Sequence, residues 1–148
     1  MIGPARVAAY DILSAVAAGR ADLPAAIAFV RAALHDERDR ALASEIATGV
    51  QRWRGALDHL IAEFSKRSVE RLDPEIVDIL RLSAYQLLHL TRVPASAVVD
   101  DVNRGIGMKV RRAALGFAAI DFVEIVARLA MIGDERQIGP KAPASGLA

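Results

Sequence analysis

The sequence predicts an all-α fold, and three observations predict it. Apolar residues recur every three or four positions over long stretches, which is the period of a helix and not of a strand. Aspartate and proline stand where helices would open, and glycines stand about a helix length further on. The apolar fraction is 53% but aromatics make up only 5%, so the core must be built from Ala, Leu, Ile and Val, three of them at home in helices. No alternating pattern and no internal repeat competes with this reading. A length of 148 residues fits one domain.

The elements follow in order. Pro4 opens a first helix that runs to Gly19, a natural residue just past a helix end. Asp22 caps a second, from Leu23 to about Leu34. Asp36 and Asp39 place carboxylates in the first turn of a third, where the helix dipole favours them. Gly55 suggests a joint between that helix and the next. Asp73-Pro74-Glu75 is a strong helix start, and this helix should reach about Leu90, because Val93-Pro94 stops it. A weaker helix begins near Ser96 and is broken by Gly105 and Gly107; a last one spans roughly Val110 to Met131. Residues 1–132 therefore form the expected domain, and 133–148 read as a flexible polar tail.

Two faces locate the expected core. Leu42, Ile46, Val50, Trp53, Leu57, Leu60 and Phe64 make one apolar stripe, with Trp53 as its aromatic anchor. On that reading Trp53→Ala should cost ~3–5 kcal/mol. Arg52 and Arg54 leave the stripe on opposite flanks, and Arg52 lines up with Arg38 and Glu45 as a solvated, ion-paired row. The helix from Asp73 to Leu90 is apolar around most of its circumference, which puts it at the centre of the bundle. Its narrow polar strip is Asp78, Arg81, Tyr85 and His89, with the Tyr85 hydroxyl expected at water or a partner group and His89 at the rim.

Composition and motifs exclude several functions. Nineteen basic against 18 acidic side chains give a net charge of +1, so any nucleic-acid contact must come from local clustering. The absence of cysteine removes disulfides and thiolate chemistry, fits a reducing compartment, and makes a cytoplasmic location the expectation. No secretory signal opens the chain, and no uncharged apolar run reaches the ~18 residues a membrane span needs. His35, His59 and His89 have no ligand spacing. The adjacent Asp100 and Asp101 point apart on a helix, and Gly105-Ile106-Gly107 lacks the strand, lysine and further glycines of a phosphate loop. Neither a catalytic group nor a cofactor or metal site is predicted.

Basic clusters remain. Arg104, Lys109, Arg111 and Arg112 cross a glycine-containing loop with no acid between them, where they either meet phosphate or lie solvated. Lys66 and Arg67 form a second pair at a helix end, where the dipole alone accounts for cations.

The motifs in the middle of the chain resemble the NusB family, and most closely the NusB-like N-terminal domain of RsmB-type ribosomal RNA cytosine-5 methyltransferases. The resemblance is carried by Asp39-Arg40-Ala41-Leu42-Ala43, Gly49, Arg52-Trp53-Arg54-Gly55, Leu57-Asp58, Leu72-Asp73-Pro74, Ile79-Leu80-Arg81-Leu82, Tyr85-Gln86-Leu87-Leu88 and Arg92-Val93-Pro94. It extends loosely to Arg6, Ala9, Leu13 and Val16 and to Gly116-Phe117.

The resemblance implies a bundle of two packed subbundles, here about seven helices, and RNA binding. It implies ribosomal or leader RNA as partner, together with a ribosomal protein or a methyltransferase domain, and leaves room for a homodimer. It implies no catalysis by this chain, which has neither the cysteines nor the length of the methyltransferase domain, and which reads as an excised domain or a stand-alone relative. Where NusB proteins carry an arginine-rich start, this chain has Arg6 alone; Asp100-Asp101-Val102 and Ala118-Ala119 replace the residues usual in the family. The expected RNA-binding set is Arg6, Arg52, Arg54, Lys66, Arg67, Arg104, Lys109, Arg111 and Arg112. The alternative is a protein-interaction domain of the same fold that has lost its RNA surface.

Overall fold

Local chemistry sets the helix boundaries. The computed structural model describes residues 3–90, 93–101 and 124–132. Helix α1 spans Pro4–Ala17, with the proline in its first turn. Gly19 closes it at φ 67, so that Arg20 N–H donates to the Ala15 carbonyl and Gly19 N–H to that of Val16, each at 3.0 Å. A side chain at Gly19 would strain this left-handed closure. Helix α2, Leu23–Ala33, starts where Asp22 Oδ1 accepts the Ala25 N–H at 2.9 Å. Helix α3, Glu37–Arg52, starts where Asp36 Oδ1 accepts the Arg38 N–H at 2.7 Å. Helix α4 spans Arg54–Ser65 and ends on Lys66 in the left-handed region at φ 55. A single 3₁₀ turn, Val69–Arg71, leads to α5, Pro74–His89, where Asp73 Oδ1 accepts the Glu75 N–H at 2.9 Å. Helix α6 is Ala95–Asp101, and residues 124–132 are helical (α7).

All the described elements are helical, as the periodicity predicts, and the starts at Asp22 and Asp73 fall where capping places them; Asp36, expected in the first turn of α3, is its cap instead, with Glu37 and Asp39 in that turn. The joint after α3 falls at Trp53, two residues before Gly55; a Cβ at Gly55 would meet nothing within 4 Å. The tail at 133–148 lies outside the described residues.

Helix α5 is the axis of the fold. It packs against α1, α3, α4 and α6, and every residue from Ile76 to Leu87 is buried. Ile12 of α1, Ile46 and Val50 of α3, Leu57 and Ile61 of α4, Val98 of α6 and Leu129 of α7 share its core. Alanines 5, 8 and 43 bring α1 and α3 together in a second small cluster, under Val30 and Leu34 at the α2 end. A helix apolar on nearly all sides can only be stable when surrounded, which is why the sequence alone places α5.

The polar strip of α5 differs from expectation. Only His89 reaches the rim; Asp78, Arg81 and Tyr85 are buried. Their polar atoms are drawn inside because α4 and α3 supply partners and space for them.

Candidate nucleic-acid interface

The expectation that Trp53 anchors the core is wrong. The α3 and α4 helices meet at this residue, whose backbone stands at φ −99, ψ 12. Its N–H still donates to the Gly49 carbonyl (3.0 Å) and its carbonyl accepts the Leu57 N–H (2.9 Å), so it closes one helix and opens the next. The stripe carries one phase through the joint, which is expected at Gly55 and lies at Trp53. The break shifts the phase, so that Ile46 and Val50 go inward on one side and Leu57 and Ile61 on the other. The indole is turned out and is 45% exposed.

The exposed indole is nevertheless held. It stacks on the His89 ring at a centroid distance of 5.1 Å and an interplanar angle of 20°. His89 stacks in turn on Tyr85, at 5.1 Å and 25°. Three rings from two helices thus form a column whose inner end is buried and whose outer end is Trp53. Gly49 makes room for it, since a Cβ there would run into the Tyr85 ring. The Tyr85 hydroxyl, expected at water or a partner group, is packed over α3 beside Gly49. Burial foremost, then the nearby Glu45 carboxylate, pushes its phenol pKa up, while Arg52 pulls the other way.

Arg52 and Arg54 flank the indole in the chain and are both exposed. Among the described residues neither forms an ion pair. The row of Arg38, Glu45 and Arg52 is solvated, as expected, but its members are not bridged to one another. Arg54 acts on Asp78 only through its charge.

Beneath them lies a different arginine. Arg81 donates from Nε to Asp58 Oδ1 at 2.6 Å and from a terminal nitrogen to Oδ2 at 2.9 Å, a two-pronged pair between α5 and α4. It also reaches Asp78 Oδ1 at 3.3 Å. Burial works against the Arg81 charge, but the hydrogen bond and charge of Asp58, joined by Asp78, more than offset it and raise its pKa. Burial pushes the Asp78 carboxyl up, opposed by Arg81. This network ties helices and leaves no cation over for a ligand.

The remaining expected site residues scatter. Arg6, on α1, is half-buried and donates from Nε to Oε1 of the buried Gln86 at 2.7 Å, while Gln86 Nε2 donates to the Leu82 carbonyl at 3.0 Å. Arg6 thus holds α1 against α5. Lys66 and Arg67 are exposed at the far end of α4, ~18 Å from Arg54 by helical rise. There they line a small hollow with Phe64, Glu124 and Arg128, the last two paired at 2.6 Å. Arg104, Lys109, Arg111 and Arg112 lie outside the described residues. The structure therefore leaves Arg52 and Arg54 exposed on either side of Trp53 in the chain and keeps them apart from Lys66 and Arg67.

Sequence reasoning missed Gly49 and His89 as parts of this site. A signal existed: Gly49 and Trp53 are four apart on α3, and Tyr85 and His89 are four apart on α5. A small residue opposite a large one is how two helices bring rings into register. Among the described residues no group of three His, Asp or Glu side chains could hold a metal ion, and no helix is long and apolar enough to cross a membrane.

Comparison with known proteins shows the family. The NusB family profile matches residues 3–106. A Mycobacterium tuberculosis protein called "Putative methyltransferase" is 39% identical over 147 residues, covering 96% of this chain but 30% of its own length. The ribosomal RNA small subunit methyltransferase B of Pseudomonas putida is 36% identical over 100 residues, covering 65% of this chain and 22% of its own. The transcription antitermination protein NusB of Coxiella burnetii is 35% identical over 69 residues, 45% of this chain and 50% of its own. The chain thus spans less than a third of the methyltransferases it matches. No solved structure matches it.

Proposed function

Because the chain belongs to the NusB family, we propose that it is an RNA-binding module for ribosomal or pre-ribosomal RNA. It is non-catalytic by itself and acts in the cytoplasm, as the accessory domain of a ribosomal RNA methyltransferase or as an antitermination factor of the NusB type. The observation that carries this reading is the pair Arg52 and Arg54, exposed and without an ion pair among the described residues, on either side of an exposed tryptophan. Arginine meets phosphate oxygens with two parallel donors, and aromatic faces accept bases. The loop residues Arg104, Lys109, Arg111 and Arg112 extend the same proposal, as do Lys66 and Arg67 at the far end of α4. Arg6, tied to Gln86, belongs to the proposed set but is the least available of its members.

The test is a titration of a structured ribosomal RNA fragment at several salt concentrations. Each phosphate contact removed lowers the slope of log affinity against log salt by about one. Arg52→Ala/Arg54→Ala should therefore flatten the slope by about two units, and Lys109→Ala/Arg111→Ala/Arg112→Ala by about three if the loop takes part. Equal slopes for the wild type and the first variant would remove the Arg52–Arg54 surface from the proposal.

One feature favours a second reading, a protein-interaction domain. A shallow groove between α1 and α2 is lined by Val7, Ala15, Ala25, Phe29 and Val30, and Phe29 is 80% exposed. Absence of RNA binding by the wild type at low salt would move the function to that groove.

A further inference from the structure

We propose that the outer face of Trp53 is a stacking platform for one unpaired nucleobase of an RNA strand, with Arg52 and Arg54 holding the phosphates on either side of it. The proposal rests on the RNA-binding reading and names the chemistry of its central contact.

The argument begins with what an exposed tryptophan needs. Large apolar rings left in water cost free energy, and nothing in the helix joint requires this one for its own stability. Burial elsewhere in the bundle is carried by Ile, Leu and Val, yet this indole is fixed in orientation by a ring beneath it. His89 supports Trp53, Tyr85 supports His89, and Gly49 gives Tyr85 its seat. An indole ordered before the ligand arrives loses less side-chain freedom on binding, which favours the bound state. Phe29 is more exposed but has no such support: among the described residues the ring stacks are Trp53 on His89 and His89 on Tyr85.

The charges then select the ligand. Arg52 and Arg54 put two cations one residue away from the indole; the acids nearest them are Glu45, two turns back along α3, and Asp58, one turn on along α4 and already held by Arg81. An apolar peptide would gain from the ring and not from the arginines; an acidic one would lack the flat face that matches an indole. A base with a phosphate on each side uses both. A base already paired in a duplex has its faces covered by its neighbours, so the platform selects single-stranded segments, loops or bulges.

Trp53 is the chain's only tryptophan, so its intrinsic fluorescence reports on the contact directly. The wild type is titrated with a mixed-sequence single-stranded RNA about ten nucleotides long, with the same strand made abasic, with its duplex, and with adenosine monophosphate. The single strand should quench the emission; the abasic strand and the duplex should bind with similar salt dependence and leave the emission nearly unchanged. Trp53→Leu should bind the single strand about tenfold more weakly and the abasic strand as the wild type does, while Trp53→Phe should keep most of the affinity. Quenching by the abasic strand or duplex, undiminished affinity of Trp53→Leu, or adenosine monophosphate binding as tightly as the strand would each overturn the platform. Salt-dependent binding without quenching sinks the platform alone. No binding of any RNA at low salt sinks the RNA-binding reading with it.

Discussion

Two arginine sites occupy neighbouring turns of the α3–α4–α5 corner and differ in every respect that matters. Arg81 is buried, charged, and held by Asp58 at 2.6 and 2.9 Å and by Asp78 at 3.3 Å. Arg52 and Arg54 stand in water with no ion pair among the described residues. The first site spends its charge on two carboxylates and its two shortest hydrogen bonds on joining α5 to α4. The second has its donors free for a ligand. The difference teaches that residue type says little about role until the local dielectric and the available partners are known.

The largest expected effect tests the inner site. Arg81→Ala leaves Asp58 and Asp78 facing each other without a cation, and removal of one partner from a buried pair typically costs ~3–5 kcal/mol. Urea unfolding should show it; a loss under ~1 kcal/mol would put this pair in the class of solvated surface bridges and erase the contrast.

The seam between the two sites should be nearly as sensitive. Gly49→Ala drives a methyl into the Tyr85 ring. Overpacking of this kind costs ~1–3 kcal/mol, against a gain of up to ~1 kcal/mol in helix propensity. The net effect should be a lower melting temperature that Tyr85→Leu in the same chain recovers. A Gly49→Ala variant as stable as the wild type would mean that the ring column is not seated as described.

Alkali tests the buried side separately. The Tyr10 phenol is pushed up from 10.0 to about 12, chiefly by burial and then by the charges of Glu75, Asp78, Asp11 and Asp73. The unfolded chain loses that proton first, near pH 10, while the folded chain holds it to about 12, so the unfolded state binds fewer protons between them. Stability is then lost as pH rises through this window. Tyr10→Phe should flatten the loss in melts followed from pH 9 upward; an unchanged profile would assign the alkaline transition to other groups.

The smallest effects belong to the outer site. Trp53→Ala should cost about 1 kcal/mol, the scale of one aromatic stack, and not the loss expected of a core residue. Wild-type emission should be red-shifted and open to a soluble quencher. Arg52→Ala/Arg54→Ala should leave stability within ~0.5 kcal/mol, as surface substitutions do, while altering the salt dependence of RNA binding. A large stability loss from either would mean that the outer site also builds the fold.

Much of the fold was legible from the chain. Asp22 and Asp73 announce helix starts because capping is settled within three residues, and Gly19 announces a stop because few residues tolerate its positive φ. The apolar circumference of α5 announces its central place. The candidate site was legible only in part. Arg52 and Arg54 stood out as cations beside a tryptophan, and both are exposed. Trp53 itself was misplaced, because its direction depends on a helix break that a periodic stripe does not register. The Asp58–Arg81 pair, 23 residues apart in the chain, could not be inferred from spacing at all.

By itself, then, the sequence determined the helical class, the helix starts at Pro4, Asp22 and Asp73, the stop at Gly19, the central helix and the family resemblance, all of which rest on local chemistry and periodic patterns. Only the tertiary structure decided which arginine is sheathed and which is exposed, that Gly49 is the seat of a ring, and that the single tryptophan faces water on a stack of the His89 and Tyr85 rings. The physical reason is that these depend on which helix faces meet. A side chain's burial, partners and charge state are properties of the contact between elements, and no element carries that contact alone.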